Sequence, residues 1–141
     1  MYKYDTKKDE WKDTNRPMKE MRAIHSCLLL NNEIFVAGGY QQKSTEIFDL
    51  QSQSWRMGPD LPKAIFNSQF IMAQQSSQYV AYLIGGRYGT LGLTDNCTTI
   101  SDIYGLTKDS KNFEKIGDLN TARYAHAVMV LTEEEIEKCI Y

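Results

Sequence analysis

The sequence predicts an all-β fold built from a repeated unit of four short strands. Three kinds of segment recur in a fixed order: a strand preceded by Arg and His, a strand that ends in two glycines, and a hairpin with a large aromatic residue on its second strand. The glycine pairs begin at Gly38 and Gly85, which lie 47 residues apart. Self-similarity at a fixed period indicates a repeat architecture, and helical periodicity is nearly absent.

The strands that end in two glycines are the clearest of the three segments. They are Glu33–Gly39 and Tyr79–Gly86, and each is an apolar run that stops at a turn former. Such a run of β-branched and aromatic residues predicts a buried strand. Glycine has no Cβ, so it permits a positive φ or the close approach of another backbone. We therefore expect a structural role, in a crowded turn, for Gly38, Gly39, Gly85 and Gly86.

Each hairpin is predicted to consist of a strand that ends in an aromatic residue, a polar turn, and a strand that carries one large aromatic residue. The three copies are Tyr2–Trp11, Phe48–Trp55 and, in degraded form, Tyr104–Phe113. Asp5 and Asp49 stand at the start of the turns, where a side-chain oxygen caps N–H groups. A residue that recurs at one place in a repeat is typical of packing between units. We expect that role for Trp11, Trp55 and Phe113, with Trp55 in the contact between neighbouring four-stranded units.

The remaining segment has an Arg, two intervening residues, a His and then an apolar strand. It occurs as Arg22–His25 and Arg123–His126, and in a middle copy Lys63 replaces Arg while Asn67 replaces His. The two histidines of the chain therefore occupy equivalent places. We expect them, with the two arginines, to be structural residues that bond a neighbouring backbone.

The composition is that of an ordinary globular domain. The chain has 141 residues, 42% of them hydrophobic and 24% charged, and its formal net charge is −2. This balance implies no nucleic-acid or membrane partner, and no apolar run approaches the roughly 20 residues of a membrane span. The N-terminal residues have no apolar signal core.

The three cysteines, Cys27, Cys97 and Cys139, are odd in number and far apart. This spacing favours reduced thiols and a cytoplasmic protein. A metal site that combines Cys27 or Cys139 with the histidines is the alternative, but no two of these residues have a ligand spacing.

Together, these segments resemble the kelch repeat of β-propellers. The shared features are paired glycines after a second strand, a later aromatic-Asp pair, a Trp about six residues on and a period near 50 residues. The resemblance covers nearly the whole chain and divides it into the last two strands of one repeat, two whole repeats and the start of a further, truncated one. In chain order the ranges are 1–16, 17–62, 63–120 and 121–141.

The second whole repeat departs from the family pattern. Gly105 stands where the family has Asp, Phe113 replaces Trp, Asn67 replaces His, and a long loop runs over Arg87–Asn96. We therefore expect its packing to differ from that of the first whole repeat. The one helix-like piece, Thr132–Glu137, has capping-box spacing and is interpreted as a polar loop.

A propeller closes with roughly four to eight blades, and this chain supplies fewer than three. We expect a partial kelch-type propeller of four-stranded antiparallel blades, open and not ring-closed, with about eleven strands. Tyr124–Leu131 is predicted as the first strand of the last unit and Cys139–Tyr141 as the start of its second. Exposed blade edges invite self-association. The chain is interpreted as a fragment of a longer protein or, alternatively, as a short protein that assembles to close the ring.

The resemblance implies a protein-interaction module. Many kelch-like propellers are the substrate-binding part of adaptors for cullin-dependent ubiquitin ligases, beside BTB and BACK domains that we do not expect within these residues. The protein partner would then be a ubiquitylation substrate, with cullin contacted only through other domains. The alternative is a kelch-fold enzyme of the sugar-acid mutarotase or copper oxidase type. With no nucleophile–base pair or phosphate loop in the sequence, we expect no enzyme activity, no catalytic residue, no cofactor and no metal.

The candidate contact surface consists of the loops after the Gly-Gly strands and before the Arg/His strands. In propellers resembling this one, these loops gather on one face. Arg87 and Tyr88 begin the longest such loop, and Arg and Tyr are frequent in binding hot spots. The alternative is that Arg87 is a solvated charge and Tyr88 packs over the neighbouring turn. The candidate partner-binding residues are Ile24, Tyr40, Phe66, Arg87, Tyr88 and Tyr124.

Overall fold

A computed structural model of the protein describes residues 1–73, 78–92, 95–109 and 111–131. These ranges contain twelve strands and no helix, so the predicted all-β class is confirmed. No helix in them has the length and apolar character needed to cross a membrane. The strands are β1 (Tyr2–Asp5), β2 (Glu10–Asp13), β3 (Ser26–Leu30), β4 (Glu33–Ala37), β5 (Thr45–Asp49), β6 (Ser54–Met57), β7 (Gln69–Met72), β8 (Tyr79–Ile84), β9 (Arg87–Thr90), β10 (Asn96–Thr99), β11 (Asp102–Thr107) and β12 (Phe113–Asp118).

Eight of the strands form two four-stranded antiparallel sheets. We call the sheet with the order β3-β4-β5-β6 the first blade, and the sheet with the order β7-β8-β11-β12 the second blade. β1 and β2 form a separate antiparallel hairpin. The prediction of four-stranded blades in an open, partial propeller is therefore confirmed.

The connection between β8 and β11 contains a second hairpin. β9 pairs with β10, so that Tyr88 lies opposite Thr98 and Gly89 lies opposite Cys97. The prediction of a plain loop over Arg87–Asn96 is therefore wrong. The strand pair forms because β-branched and aromatic residues on both sides of the turn suit a pleated sheet, and it accounts for the strands beyond the predicted number.

The outer strands show which residues of the two blades correspond. Phe48 lies opposite Trp55 in the first blade, and their ring centroids are 4.9 Å apart. In the second blade Leu106 lies opposite Phe113. Phe113 therefore occupies the place of Trp55, whereas the aromatic place of Phe48 is held by an aliphatic residue.

This register also corrects the alignment of the turn. Thr107, and not Gly105, occupies the position of Asp49. The sequence alignment was wrong here by two residues, because it took the aromatic Tyr104 as the counterpart of Phe48, whereas Leu106 holds that place. The turn cap moves with it: the Asp109 carboxylate accepts the hydroxyl of Thr107 and the N–H of Lys111.

Three residues at corresponding places share a left-handed backbone. The φ angles of Ile24, Asn67 and Ala125 are 59°, 55° and 49°. The N–H of Asn67 donates to the Ile24 carbonyl at 3.1 Å, and the N–H of Ala125 donates to the Asn67 carbonyl at 3.0 Å. Asn67 therefore corresponds to Ile24, and Ser68 takes the place of His25. The alignment of Asn67 with a His was wrong by one residue.

The paired glycines lie where one unit meets the next. Gly38 and Gly85 have φ angles of 63° and 59°, and in each pair the second glycine donates its N–H to a carbonyl of the following unit, Ile65 or Arg123, at 2.9 Å. A Cβ at Gly85 would lie 2.6 Å from the Arg123 carbonyl oxygen, and one at Gly38 would overlap that of Ile65. Any side chain here would force the units apart.

The core lies between the first and second blades, where β3 faces β7. The Ser26 hydroxyl donates to the Ser68 carbonyl at 2.7 Å across this contact. The buried cluster consists of Phe35, Ala37, Ile47, Leu61, Ile65, Phe70, Ala81, Leu83, Ile100, Tyr104, Leu106 and Phe113.

The hairpin of β1 and β2 is connected to the first blade by a linker that contains Arg16. The Nε1–H of Trp55 donates to the Arg16 carbonyl at 3.1 Å. The hairpin's own tryptophan, Trp11, is 70% exposed. A cleft of about 660 Å³ separates the hairpin from the first blade.

At the other end of the described chain, residues 124–131 form no strand. The first strand predicted over Tyr124–Leu131 is therefore absent there, because no described segment lies beside it to complete a ladder. The predicted polar loop Thr132–Glu137 and the segment Cys139–Tyr141 lie outside the described residues.

Candidate protein-interaction face

Four of the six candidate contact residues form one continuous row across three successive units. The ring of Tyr40 meets the ring of Phe66 edge-on, with centroids 5.7 Å apart. Phe66 and Arg87 exchange both backbone hydrogen bonds, at 2.9 and 2.8 Å. The Arg87 guanidinium lies over the ring of Tyr124, 4.5 Å from its centroid. The loops predicted to gather on one face therefore do meet.

The members of this row differ in exposure. Tyr124 is 46% exposed, Tyr40 is half-buried and Phe66 is fully buried at 0%. Ile24, 41% exposed, joins the row through its carbonyl, which accepts the N–H of the residue after Phe66. Phe66 thus has no surface to offer a partner and instead supports Tyr40 from below.

Tyr88 lies on the other side of β9 from the row. Its ring packs against the core cluster, and the Lys63 ammonium lies 4.9 Å from the ring centroid. Side chains alternate between the two faces of a strand, so Arg87 and Tyr88 point in opposite directions. The structure therefore does not bring Tyr88 together with the other candidate residues.

Leu91, which the sequence did not single out, lies beside the row. The Tyr40 hydroxyl donates to the Leu91 carbonyl and accepts the Leu91 N–H, both at 3.2 Å, and the Leu91 side chain is exposed. These two hydrogen bonds tie the hairpin of β9 and β10 to the first blade. Nothing in the spacing of the sequence indicates this contact, because it joins residues 51 positions apart.

Arg87 is fixed in place by an ion pair with Asp95, at 2.7 Å. The carboxylate raises the pKa of Arg87 and the guanidinium lowers the pKa of Asp95. Burial, together with Asp95, raises the pKa of the neighbouring Cys97, so that thiol stays protonated at neutral pH. Arg87 is therefore a rigid support for the ring of Tyr124.

The two repeat-equivalent histidines are neutral at pH 7. Burial and then the charge of Arg22 lower the pKa of His25, and burial and then Arg123 do the same for His126. Both ring nitrogens of His126 are buried without a hydrogen-bond partner in the described part of the chain. Within those residues, no three His, Cys, Asp or Glu side chains are grouped so that they could hold a metal ion.

A buried ion pair anchors the first blade beneath this face. The Arg22 guanidinium lies 3.0 Å from the Glu46 carboxylate, and both side chains are 0% exposed. Arg22 also donates to the carbonyls of Gly38 and Ser44. Although burial raises the pKa of Glu46, hydrogen bonds from the Lys19 and Glu20 N–H groups and from Arg22 lower it overall.

The second blade has a different anchor near the start of its third strand, at the position of Ser44 and not of Glu46. The Asp102 carboxylate pairs with Lys115 at 2.8 Å and Lys63 at 3.2 Å and accepts the Tyr104 hydroxyl at 2.7 Å. Burial raises the pKa of Asp102, but these three partners outweigh it and hold that pKa at about 2. Both lysines are partly exposed, so this anchor is in contact with water.

Comparison with known families supports what the blades show. The family model described as the Kelch motif matches residues 21–62, which contain the whole first blade. The chain therefore carries a Kelch motif over those residues, and the second blade repeats their order of four antiparallel strands. Kelch-like protein 34 of Homo sapiens is 25% identical to it over 136 residues, which are 93% of this chain and 20% of that protein. The chain therefore spans about one fifth of the curated relative that it matches.

Proposed function

We propose that the chain binds a protein partner through the at least partly exposed side chains along this row and beside it, those of Ile24, Tyr40, Leu91 and Tyr124, which we call the contact row. The observation that carries the proposal is the stacking of Arg87 on Tyr124, because it holds an exposed aromatic ring rigid at the junction of two units. Tyr side chains give a large contact area, and a side chain ordered before binding loses less entropy on association.

The finer proposal is that the contact row belongs to a substrate receptor of a cullin-dependent ubiquitin ligase. The resemblance to kelch-like proteins supports it, and the partner would be a ubiquitylation substrate in the cytoplasm. We infer no enzymatic role. We also keep the repeat boundaries 1–16, 17–62, 63–120 and 121–141 as a proposal, supported by the family match within the second range.

A matched pair of truncations tests the contact row. Ile24 and Leu29 are both exposed aliphatic residues, but Ile24 precedes β3 at the contact row and Leu29 lies near the far end of that strand. Partners would be captured from cells with the unaltered chain, with Ile24→Ala/Tyr124→Ala and with Leu29→Ala, and quantified by mass spectrometry. We expect at least one partner to fall roughly tenfold or more with the double variant alone, since each hot-spot truncation costs more than about 1 kcal/mol.

Thermal melts separate a contact role from a packing role. The double variant should melt within a few degrees of the unaltered chain, since neither side chain belongs to the buried core cluster. Equal capture by all three chains would remove the contact row from the binding site. The ubiquitin-ligase proposal has its own test: ubiquitylation of the captured partner should stop when cullin activation is blocked, and continued ubiquitylation would contradict it.

A further inference from the structure

The hairpin of β9 and β10 belongs to a small sheet beside the contact row. On the β9 side, Arg87 and Phe66 form an antiparallel bridge and exchange both of their backbone hydrogen bonds. On the β10 side, β9 is the only described strand that pairs with β10. Within the described part of the chain, this sheet therefore has one edge covered at Phe66 and one open edge along β10.

The register shows which backbone groups of β10 face the open edge. In an antiparallel pair, the N–H and C=O of one residue point to the same side of its strand, and successive residues alternate between the two sides. Thr99 lies opposite Arg87, whose two groups point to Phe66 and away from β10. Arg87 and Thr99 are therefore a pair without mutual hydrogen bonds, so the N–H and C=O of Thr99 point away from β9.

Two neighbouring hydrogen bonds agree with this alternation. The N–H of Ile100 donates to the Gly86 carbonyl at 3.0 Å, so the residue after Thr99 points to the β9 side. The N–H of Cys97 points to the open edge, where the Asp95 carboxylate accepts it at 3.1 Å. Within the described residues, the Cys97 carbonyl and both backbone groups of Thr99 have no hydrogen-bond partner. Three unpaired backbone groups therefore face outward along β10.

The side chains of β10 leave this edge accessible to another strand. Soluble proteins often block an open edge with Lys, Pro or an inward-pointing charge, and β10, with the sequence Asn-Cys-Thr-Thr, has none of these. Two of its four residues are threonines, whose branched side chains suit a strand. Because Asp95 already accepts the N–H of Cys97, the free part of the edge begins at the Cys97 carbonyl. An uncharged strand with unpaired N–H and C=O groups is a template for one more strand.

The open edge is continuous with the contact row. Leu91 of that row follows β9 directly, and its backbone exchanges two hydrogen bonds with the Tyr40 hydroxyl. Thr99 lies opposite Arg87, so their side chains share one face of the hairpin, and the Arg87 guanidinium stacks on the ring of Tyr124. A strand added to β10 would lie about 5 Å from it. Such a strand would therefore extend the surface that the contact row already provides.

We propose that the partner of the contact row presents an extended segment, which adds to the open edge of β10 as a further strand. This inference rests on the proposed function, because it states the kind of partner that the contact row takes. The backbone of the segment accepts the Thr99 N–H and donates to the carbonyls of Thr99 and Cys97. Because β10 has no charged side chain, the segment is uncharged and rich in β-branched residues, which pair well with threonine across strands.

The probe for this edge is a selected peptide. Random linear peptides displayed on phage would be selected on the unaltered chain, and the binders would be synthesised for measurement of Kd. Thr99→Pro removes an N–H that points away from β9, and proline is tolerated at such edge positions. It should weaken peptide binding roughly tenfold or more, since a peptide carbonyl loses its donor. Thr99→Val, the matched control, keeps the N–H and should leave Kd within about twofold.

A second measurement leaves the protein unaltered. Methylation of a peptide amide removes its hydrogen-bond donor, and in an added strand only every second residue points its backbone groups to β10. Each amide of the selected peptide would be methylated in turn. We expect binding to weaken at alternate positions and to be retained at the positions between them. A peptide bound as a turn or a helix would not give this period of two.

Amide hydrogen exchange shows whether the edge is open before the peptide binds. The Thr98 N–H, which points to β9, should exchange roughly tenfold more slowly than the Thr99 N–H, and it should stay slow in Thr99→Pro if the hairpin is intact. The peptide should then slow the Thr99 N–H.

Three results would overturn the proposal. They are a Thr99 N–H that is already slow in the free protein, peptides that bind Thr99→Pro as well as Thr99→Val, and a methylation profile without alternation. The contact row is judged separately by the capture experiment with Ile24→Ala/Tyr124→Ala. A loss of capture in that experiment, together with any of these three results, would retain the proposed function and reject strand addition.

Discussion

The first and second blades share one backbone plan and use different chemistry to hold it. Near the start of its third strand the first blade has Glu46, which pairs with Arg22, and both side chains are fully buried. The second blade has Asp102, two positions earlier in the register, between two partly exposed lysines. Breaking a buried pair leaves an uncompensated charge in the core, but a pair in contact with water is screened. The comparison shows that each blade has a polar anchor near the start of its third strand, and that both the exact position and the residue types of this anchor differ between the blades.

The largest difference is expected when one cation is removed from each anchor. Arg22→Met should lower the free energy of unfolding by roughly 3–5 kcal/mol, because Glu46 is left buried without its partner. Lys63→Met, the matched change in the second blade, should cost at most about 1 kcal/mol, because Lys115 still pairs with Asp102 and water reaches the site. Urea denaturation at one fixed protein concentration measures both. Losses of equal size would show that the two anchors are equivalent after all.

The glycine pairs give the next difference. Gly38→Ala should cost about 2–4 kcal/mol, because it adds left-handed strain and drives a Cβ into the buried residues Ile65 and Leu61. Gly85→Ala has the same strain, but its Cβ meets the Arg123 carbonyl and the His126 ring, which lie outside the buried core cluster, so about 1–2 kcal/mol is expected. Thermal melts of the two variants rank them, and a more harmful Gly85→Ala would reverse the comparison.

The smallest effect is a dependence on pH. The pKa of Asp102 is lowered to about 2, so the stability that its ionised form contributes is present above its ordinary pKa near 3.8 and is lost as pH falls from about 4 through 2. Because the lysines are partly exposed, the contribution should be about 1 kcal/mol. Asp102→Asn should remove that part of the acid sensitivity and leave the part due to Glu46. Unchanged acid unfolding of Asp102→Asn would exclude the contribution.

Features that depend on local backbone demands could be predicted from the sequence. The Gly-Gly strands and the turn at Asp49 require particular residue types, so their spacing revealed the four-strand unit. The register of the second blade could not be predicted, because the place of Phe48 is held there by the aliphatic Leu106 and the left-handed turn is centred on Asn67, one residue from the expected alignment. The contact between Tyr40 and Leu91 has no sequence signal, because it joins residues that are far apart in the chain. Whether each candidate residue contacts a partner stays a prediction.

The hairpin of β9 and β10 shows that a four-stranded blade of this kind can accept an inserted segment. It is inserted directly after Gly86, yet β8 and β11 still pair as β4 and β5 do in the first blade, which has only a short connection at that point. The entropy of closing a loop grows slowly, by about 0.6 kcal/mol for each doubling of its length. Lengthening the chain at this point, by natural insertion or by grafting a peptide, should therefore lower the stability of the blade only slightly. The scaffold and the surface it presents can change independently.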